Sequence, residues 1–186
     1  MRPPEVETAG RTAGRMTSEA RIAPEFSLRP AKQDDYPFAL ALFLDGSAEH
    51  LKKIGRWDAR RVVGRFRRAY KYANARIICV GGEDVGWIQI DEFVRRLHLR
   101  QLHLIARVRG RGIGTRLIED LRERGVRLGK PVTLEVIHGN PAKSLYLRLG
   151  FRPTGEDLDK THMILRLPLK SKPKTLRTHS APHDEG

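Results

Sequence analysis

The chain has 186 residues, 39% hydrophobic and 31% charged, with a formal charge of +14, which suits one domain with a buried core and anionic partners. No apolar run approaches the ~18 residues that cross a bilayer, and "MRPPEVETAGRTAGRM" has no apolar stretch of a secretory signal. Cys79 is the only cysteine, which excludes an internal disulfide and a Cys-rich zinc site, and a cytoplasmic protein is the expectation.

Residues 1–25 lack large apolar periodicity and read as a disordered tail, as do residues 169–186. The first holds four basic and four acidic residues and the second four basic and two acidic, so about +12 resides on the expected domain, 26–168. That domain opens with a short strand at 26–30. A polar turn follows with Asp34 or Asp35 as N-cap, then a helix to about residue 44. Residues 57–70 place Val62, Phe66, Ala69 and Tyr70 on one helical face. A hairpin follows, with strands at 76–80 and 85–91.

Residues 95–108 read as a long strand with a break in its alternation. Leu97 and Leu99 have odd parity, whereas Leu102 and Leu104 have even parity. A β-bulge near Arg100–Gln101 would restore one apolar face. A helix to about residue 128, ended by Gly129 and Pro131, precedes an alternating strand at 132–137. A short helix at 141–150 and a final hairpin complete the order β-α-α-β-β-β-α-β-α-β-β.

Directly before the helix that ends near 128, "RVRGRGIGTRLIEDL" interleaves Gly110, Gly112 and Gly114 with Arg109 and Arg111. Glycine permits close backbone approach, and a helix start offers unpaired N–H donors, so this stretch reads as a pyrophosphate cradle. It lacks the lysine and hydroxyl pair of a Walker A loop. A dinucleotide fingerprint needs G-x-G-x-x-G in an N-terminal βαβ unit, and here four strands come first.

The sequence Arg109-Gly110-Arg111-Gly112-Ile113-Gly114 resembles the Q/R-x-x-G-x-G/A loop of the GCN5-related N-acetyltransferases (GNAT). About 35 residues on, Leu145-Tyr146-Leu147-Arg148-Leu149-Gly150-Phe151 resembles that family's L-Y-x-x-[LM]-G-F signature. The resemblance spans essentially all of 26–168. It implies an α/β (α+β) fold: a mixed, mostly antiparallel sheet of about seven strands flanked by about four helices. It implies acetyl-CoA as cosubstrate, with its pyrophosphate on the amides of Gly110, Arg111, Gly112, Ile113, Gly114 and Thr115, and Arg109 assisting. Leu102, His103 and Leu104 would pair with the acyl-pantetheine where the fourth and fifth strands splay, the amide near Leu104 serving the oxyanion. Asn140 and Lys143 would lie near the cofactor. The sequence departs from the family pattern at Ala106, where proline is usual, in the six-residue spacing from Asn140 to Tyr146, and in lacking a glutamate on the fourth strand.

Acetyl transfer needs a neutral amine, a stabilised oxyanion and a protonated or solvated thiolate. The family pattern places Tyr146 near the sulfur. Three candidates remain for the base: Glu135, on the outward face of "VTLEVI"; His103, by its ordinary pKa; or a chain of water molecules. No metal is expected. Residues 52–72 hold nine basic residues and one acid, so an anionic acceptor is favoured: a small amine or amino acid-like molecule first, a protein N-terminus second. A homodimer is left open, and no membrane contact is expected. A CoA-binding sensor or a basic nucleic-acid module are the other classes, the latter without stacking, helix-turn-helix or zinc signatures.

Overall fold

The computed structural model describes residues 24–167. The expected tails, and the domain limit at 168, lie outside the described residues apart from Pro24 and Glu25. Strands β1 (Ser27–Pro30), β2 (Ala75–Val80), β3 (Glu83–Glu92), β4 (Leu97–Leu104), β5 (Val132–Ile137), β6 (Arg152–Glu156) and β7 (Lys160–Leu165) form one sheet. Their order is β1-β2-β3-β4-β5-β7-β6. Neighbours are antiparallel except β4 and β5, which run parallel because a helical crossover joins them. The α-helices are α1 (Tyr36–Lys53), α2 (Ala59–Ala69), α3 (Ile113–Leu128) and α4 (Ala142–Arg148). No helix among the described residues is long and apolar enough to cross a membrane.

Strand alternation divides the core into two layers. Ile78, Ile88, Leu99 and Leu134 pack with Ile113, Leu117 and Leu121 of α3, and with Tyr146 of α4. On the other face Ile77 and Trp87 pack with Ala39 and Leu42 of α1 and Phe66 of α2. The charged α2 is therefore held by a narrow apolar stripe, its buried positions being Val62 and Phe66.

The expected end of α1 near 44 is corrected: the helix continues through Asp45-Gly46-Ser47 to Lys53. Those residues resemble a stop signal, yet a Cβ at Gly46 would lie 2.9 Å from His103 Nδ1. The glycine lets α1 settle against the His103 ring. The predicted bulge is present: Gln89 faces Gln101 while Ile90 faces Leu99, leaving Arg100 as the additional residue of β4. Leu97, Leu99, Leu102 and Leu104 thereby all join the α3 layer.

Candidate active site

Beyond the bulge, β4 parts from β5. Their pairing ends at Leu99 opposite Leu134, whereas β3 accompanies β4 to Gly86 opposite Leu104. Ile105 N–H donates to the Val85 carbonyl at 2.9 Å. The alternation of an antiparallel ladder then turns the main-chain groups of Leu102 and Leu104 toward the open side, and those of His103 toward β3. Among the three expected pantetheine residues, His103 thus has its backbone committed elsewhere. Leu102 and Leu104 retain outward amides.

The fork opens into a cleft of about 410 Å³, with α1 and α2 on one side and α4 on the other. Tyr146, Glu135, His103, Leu102 and Asn140 all line it, so residues from β4, β5 and α4 converge. Tyr146 is 8% exposed. It packs edge-on to Phe151, the ring centroids 5.7 Å apart. Burial pushes its phenol up to about 12, so it remains a proton-bearing donor at any working pH.

His103 departs from the expectation of a titrating base. Its ring stacks on Trp87 at 5.5 Å and meets Phe43 edge-on at 5.7 Å. Burial first, and the nearby Arg109 charge second, push its pKa down to about 4. Nε2 donates to Gln101 Oε1 at 2.8 Å, which places the neutral ring's proton on Nε2, while Nδ1 abuts Gly46. The nitrogen left to accept a proton, Nδ1, belongs to a ring whose burial makes it a weak base near neutral pH.

Glu135 carries its carboxylate on the cleft side of β5. Oε2 accepts from Lys160 Nζ at 2.7 Å, and Oε1 lies 3.7 Å from His162 Nδ1. Burial alone would raise this carboxyl, but the Lys160 hydrogen bond and charge outweigh it, and the net shift is downward.

The glycine loop lies at the end of the β4 arm. Gly112, at φ 85°, is the N-cap of α3, a left-handed conformation that favours glycine. The first intrahelical bond runs from Arg116 N–H to Gly112 O, so the amides of Ile113, Gly114 and Thr115 emerge from the helix start without intrahelical acceptors. Gly110, at φ 72°, provides the preceding turn, and Arg111 is exposed.

Three expected cofactor contacts are otherwise engaged. Arg109 Nε donates to Leu104 O at 2.7 Å and its guanidinium pairs with Asp45 of α1, tying the end of β4 to α1. Lys143 Nζ donates to Thr161 Oγ1 at 3.0 Å and lies 3.5 Å from Glu156, on the β6–β7 side. The Asn140 side-chain oxygen accepts from Ala142 N–H, the first residue of α4, at 2.9 Å.

The basic block expected to favour an anionic acceptor reaches the cleft, but local reasoning missed the part of the cationic lining contributed by Arg100 and Lys160. Of the nine basic residues in 52–72, Arg65 and Arg68 line the cleft, joined by Arg100 and Lys160. The signal was present as the consecutive polar pair Arg100-Gln101 within a strand, since a bulge turns two successive side chains to one face.

Residues 73–153 match the family model described as Acetyltransferase (GNAT) domain. Against curated proteins the chain has no sequence match. Among solved structures it is similar to the PaiA N-acetyltransferase of Thermoplasma acidophilum, determined in complex with coenzyme A. The TM-score is 0.63 at 14% identity, covering 77% of this chain and 99% of that one. An acetyltransferase from Thermus thermophilus gives a TM-score of 0.59 at 21% identity, covering 78% and 99%. A GNAT-family acetyltransferase from Listeria monocytogenes gives 0.56 at 16%, covering 77% and 96%. These likenesses establish the fold. The match to the GNAT acetyltransferase domain holds the strand fork, the glycine loop and Tyr146 within its span of residues 73–153.

Proposed function

We propose that this acyltransferase moves the acetyl group of acetyl-CoA to a primary amine, with a small-molecule, amino acid-like acceptor. The observation that carries the reading is the fork: the open edge of β4 beyond Leu99 leads from a cleft containing Tyr146 to a helix start with free amides. A pantetheine arm extends the sheet by pairing with Leu102 and Leu104, and the pyrophosphate lies on the amides of 110–115. The Leu104 N–H faces the thioester carbonyl and stabilises its oxyanion.

The neutral amine attacks the carbonyl carbon, forming the C–N bond and a tetrahedral intermediate. Collapse breaks the C–S bond, and the proton lost by nitrogen is returned to the departing sulfur. Tyr146 donates a hydrogen bond to that sulfur, since a phenol near 12 solvates a thiolate more readily than it ionises. Glu135, or water held beside it, receives the amine proton. Arg109 supports the site by fixing the end of β4 and the loop that follows it. A protein N-terminus is the second acceptor class.

The test is thermal unfolding with acetyl-CoA. A ligand at ~100 times its Kd adds about 2.7 kcal/mol to the native state. Gly112→Val, which forces a β-branched residue into a left-handed N-cap, should abolish that gain. Equal melting shifts in wild type and variant would refute the loop assignment.

A further inference from the structure

Two arginines lining the cleft have guanidinium donors that no acceptor among the described residues uses. Four cations line it, and three have acidic partners: Arg65 pairs with Asp159 at 3.6 Å, Lys160 with Glu135 at 2.7 Å, and Arg100 with Asp91. Arg68 pairs with no acid among the described residues. Arg100 donates to Asp91 through Nε, and among the described residues its two terminal nitrogens have no acceptor. The cleft thus presents one whole guanidinium and most of a second.

The backbone segments that carry these two arginines are joined by one set of hydrogen bonds. Arg100 is the additional residue of the bulge, which places it beside Gln101 on the cleft face. Its side chain is aimed by Asp91, which is 5% exposed and also accepts from Asn74 Nδ2 at 2.9 Å and Gln89 Nε2 at 3.3 Å. Gln89, fully buried, donates from the same nitrogen to Ala69 O at 3.0 Å and accepts from Lys71 N–H at 3.2 Å. A continuous chain of hydrogen bonds therefore runs from Arg100 through Asp91 and Gln89 to Ala69, the residue after Arg68. The end of α2 and the β4 bulge are fixed relative to one another. A buried, fully partnered carboxylate that orients an arginine without using its terminal nitrogens leaves that fork preorganised for a planar anion.

We propose that Arg68 and Arg100 form a carboxylate-binding subsite, so that the preferred acceptors are amines bearing a carboxylate. This deepens, and rests on, the acetyl-transfer reading. The subsite holds the anionic end of the acceptor against α2 and the bulge, leaving its amine to reach the thioester between Leu104 and Tyr146.

The experiment compares γ-aminobutyrate with n-butylamine, two aliphatic amines of equal chain length, by free-thiol release from acetyl-CoA. In parallel, butyrate is titrated into CoA-saturated protein and followed by saturation-transfer NMR. Wild type should turn over γ-aminobutyrate with the higher kcat/KM. Arg68→Gln should reduce that preference by roughly 10- to 100-fold, the range for losing a charge-assisted hydrogen bond, and should weaken butyrate binding. Arg67→Gln, exposed on the same helix and outside the cleft lining, should change neither. Arg100→Lys, which keeps the charge but loses the fork, should reduce the preference while its melting temperature verifies an intact fold. Equal efficiency with both amines, or butyrate binding indifferent to Arg68, would overturn the subsite. Butyrate binding that requires Arg68, in protein releasing no thiol with any amine, would uphold the subsite and overturn acetyl transfer instead.

Discussion

His103 makes a stability prediction whose size follows from its surroundings. Enclosed by Trp87, Phe43 and Gly46, its pKa lies at about 4 instead of the ordinary 6.5. Between those values the unfolded chain carries a proton on this ring that the native protein excludes. The native state therefore has its full advantage above about pH 6.5 and loses it as the pH falls toward 4. At about 1.4 kcal/mol per pH unit of separation the whole loss is about 3 kcal/mol, of which about 2 should be gone by pH 5. The depressed carboxyls of Asp35, Asp84 and Asp91 act in a lower window, losing their contribution only as pH falls below ordinary carboxylate values. His98, also lowered by burial, shares the His103 window, so the decisive quantity is a difference between proteins. Urea unfolding at intervals from pH 7.5 to 4.5 should show wild type losing stability more steeply than His103→Phe, which keeps an aromatic ring but cannot take a proton. The two curves should converge by about 2 kcal/mol on reaching pH 5. Parallel curves would mean that His103 titrates normally, and would restore it as a candidate base.

Tyr146→Phe should leave acetyl-CoA binding intact and reduce kcat by roughly ten- to a thousandfold, as expected for removing one donor at the leaving group; unchanged turnover with chemistry rate-limiting would return Tyr146 to a packing role. For Glu135, the Lys160 contact keeps the carboxyl below its ordinary 4.5, so any acidic limb of the pH–rate profile that belongs to it lies below about pH 4.5 in wild type. Lys160→Met removes the lowering partner and leaves the burial, so that limb should move upward, and Glu135→Gln should eliminate it. A limb that stays in place in both variants would take Glu135 out of the proton path and favour a water chain.

The layout of the sheet was legible because it depends on patterns within single segments. The change of parity from Leu97 and Leu99 to Leu102 and Leu104 located the bulge near Arg100–Gln101, and Arg100 is the additional residue. The glycine loop marked the start of α3 and Gly129 its end, and Gly112 and Gly129 both have positive φ there. The side-chain roles were harder, because each is settled by a partner distant in the chain. Arg109 matches the loop motif, yet its guanidinium is engaged by Asp45, 64 residues earlier. Lys143 lies on the helix expected near the phosphates, yet Thr161, 18 residues later, holds its ammonium. His103 has an ordinary pKa in sequence terms, and loses it to rings supplied by α1 and β3.

Charge placement follows the same logic and bears on how the acceptor is chosen. The nine basic residues of 52–72 form a single block along the chain, but helical periodicity distributes them around α2 and its flanks. Val62 and Phe66 fix which face is inward, and only Arg65 and Arg68 then border the cleft. Asp159 partly neutralises Arg65. The excess charge of the block therefore reaches the acceptor chiefly through Arg68, while most of the remainder acts at longer range and is screened beyond about 10 Å at moderate salt. Spermidine separates these two contributions. Repulsion by the distant charges should fade as salt rises, whereas local discrimination at Arg68 should persist. Raising ionic strength from low to moderate should thus narrow, without erasing, the advantage of γ-aminobutyrate over spermidine, and preferred acetylation of spermidine at low salt would show that neither contribution selects the acceptor.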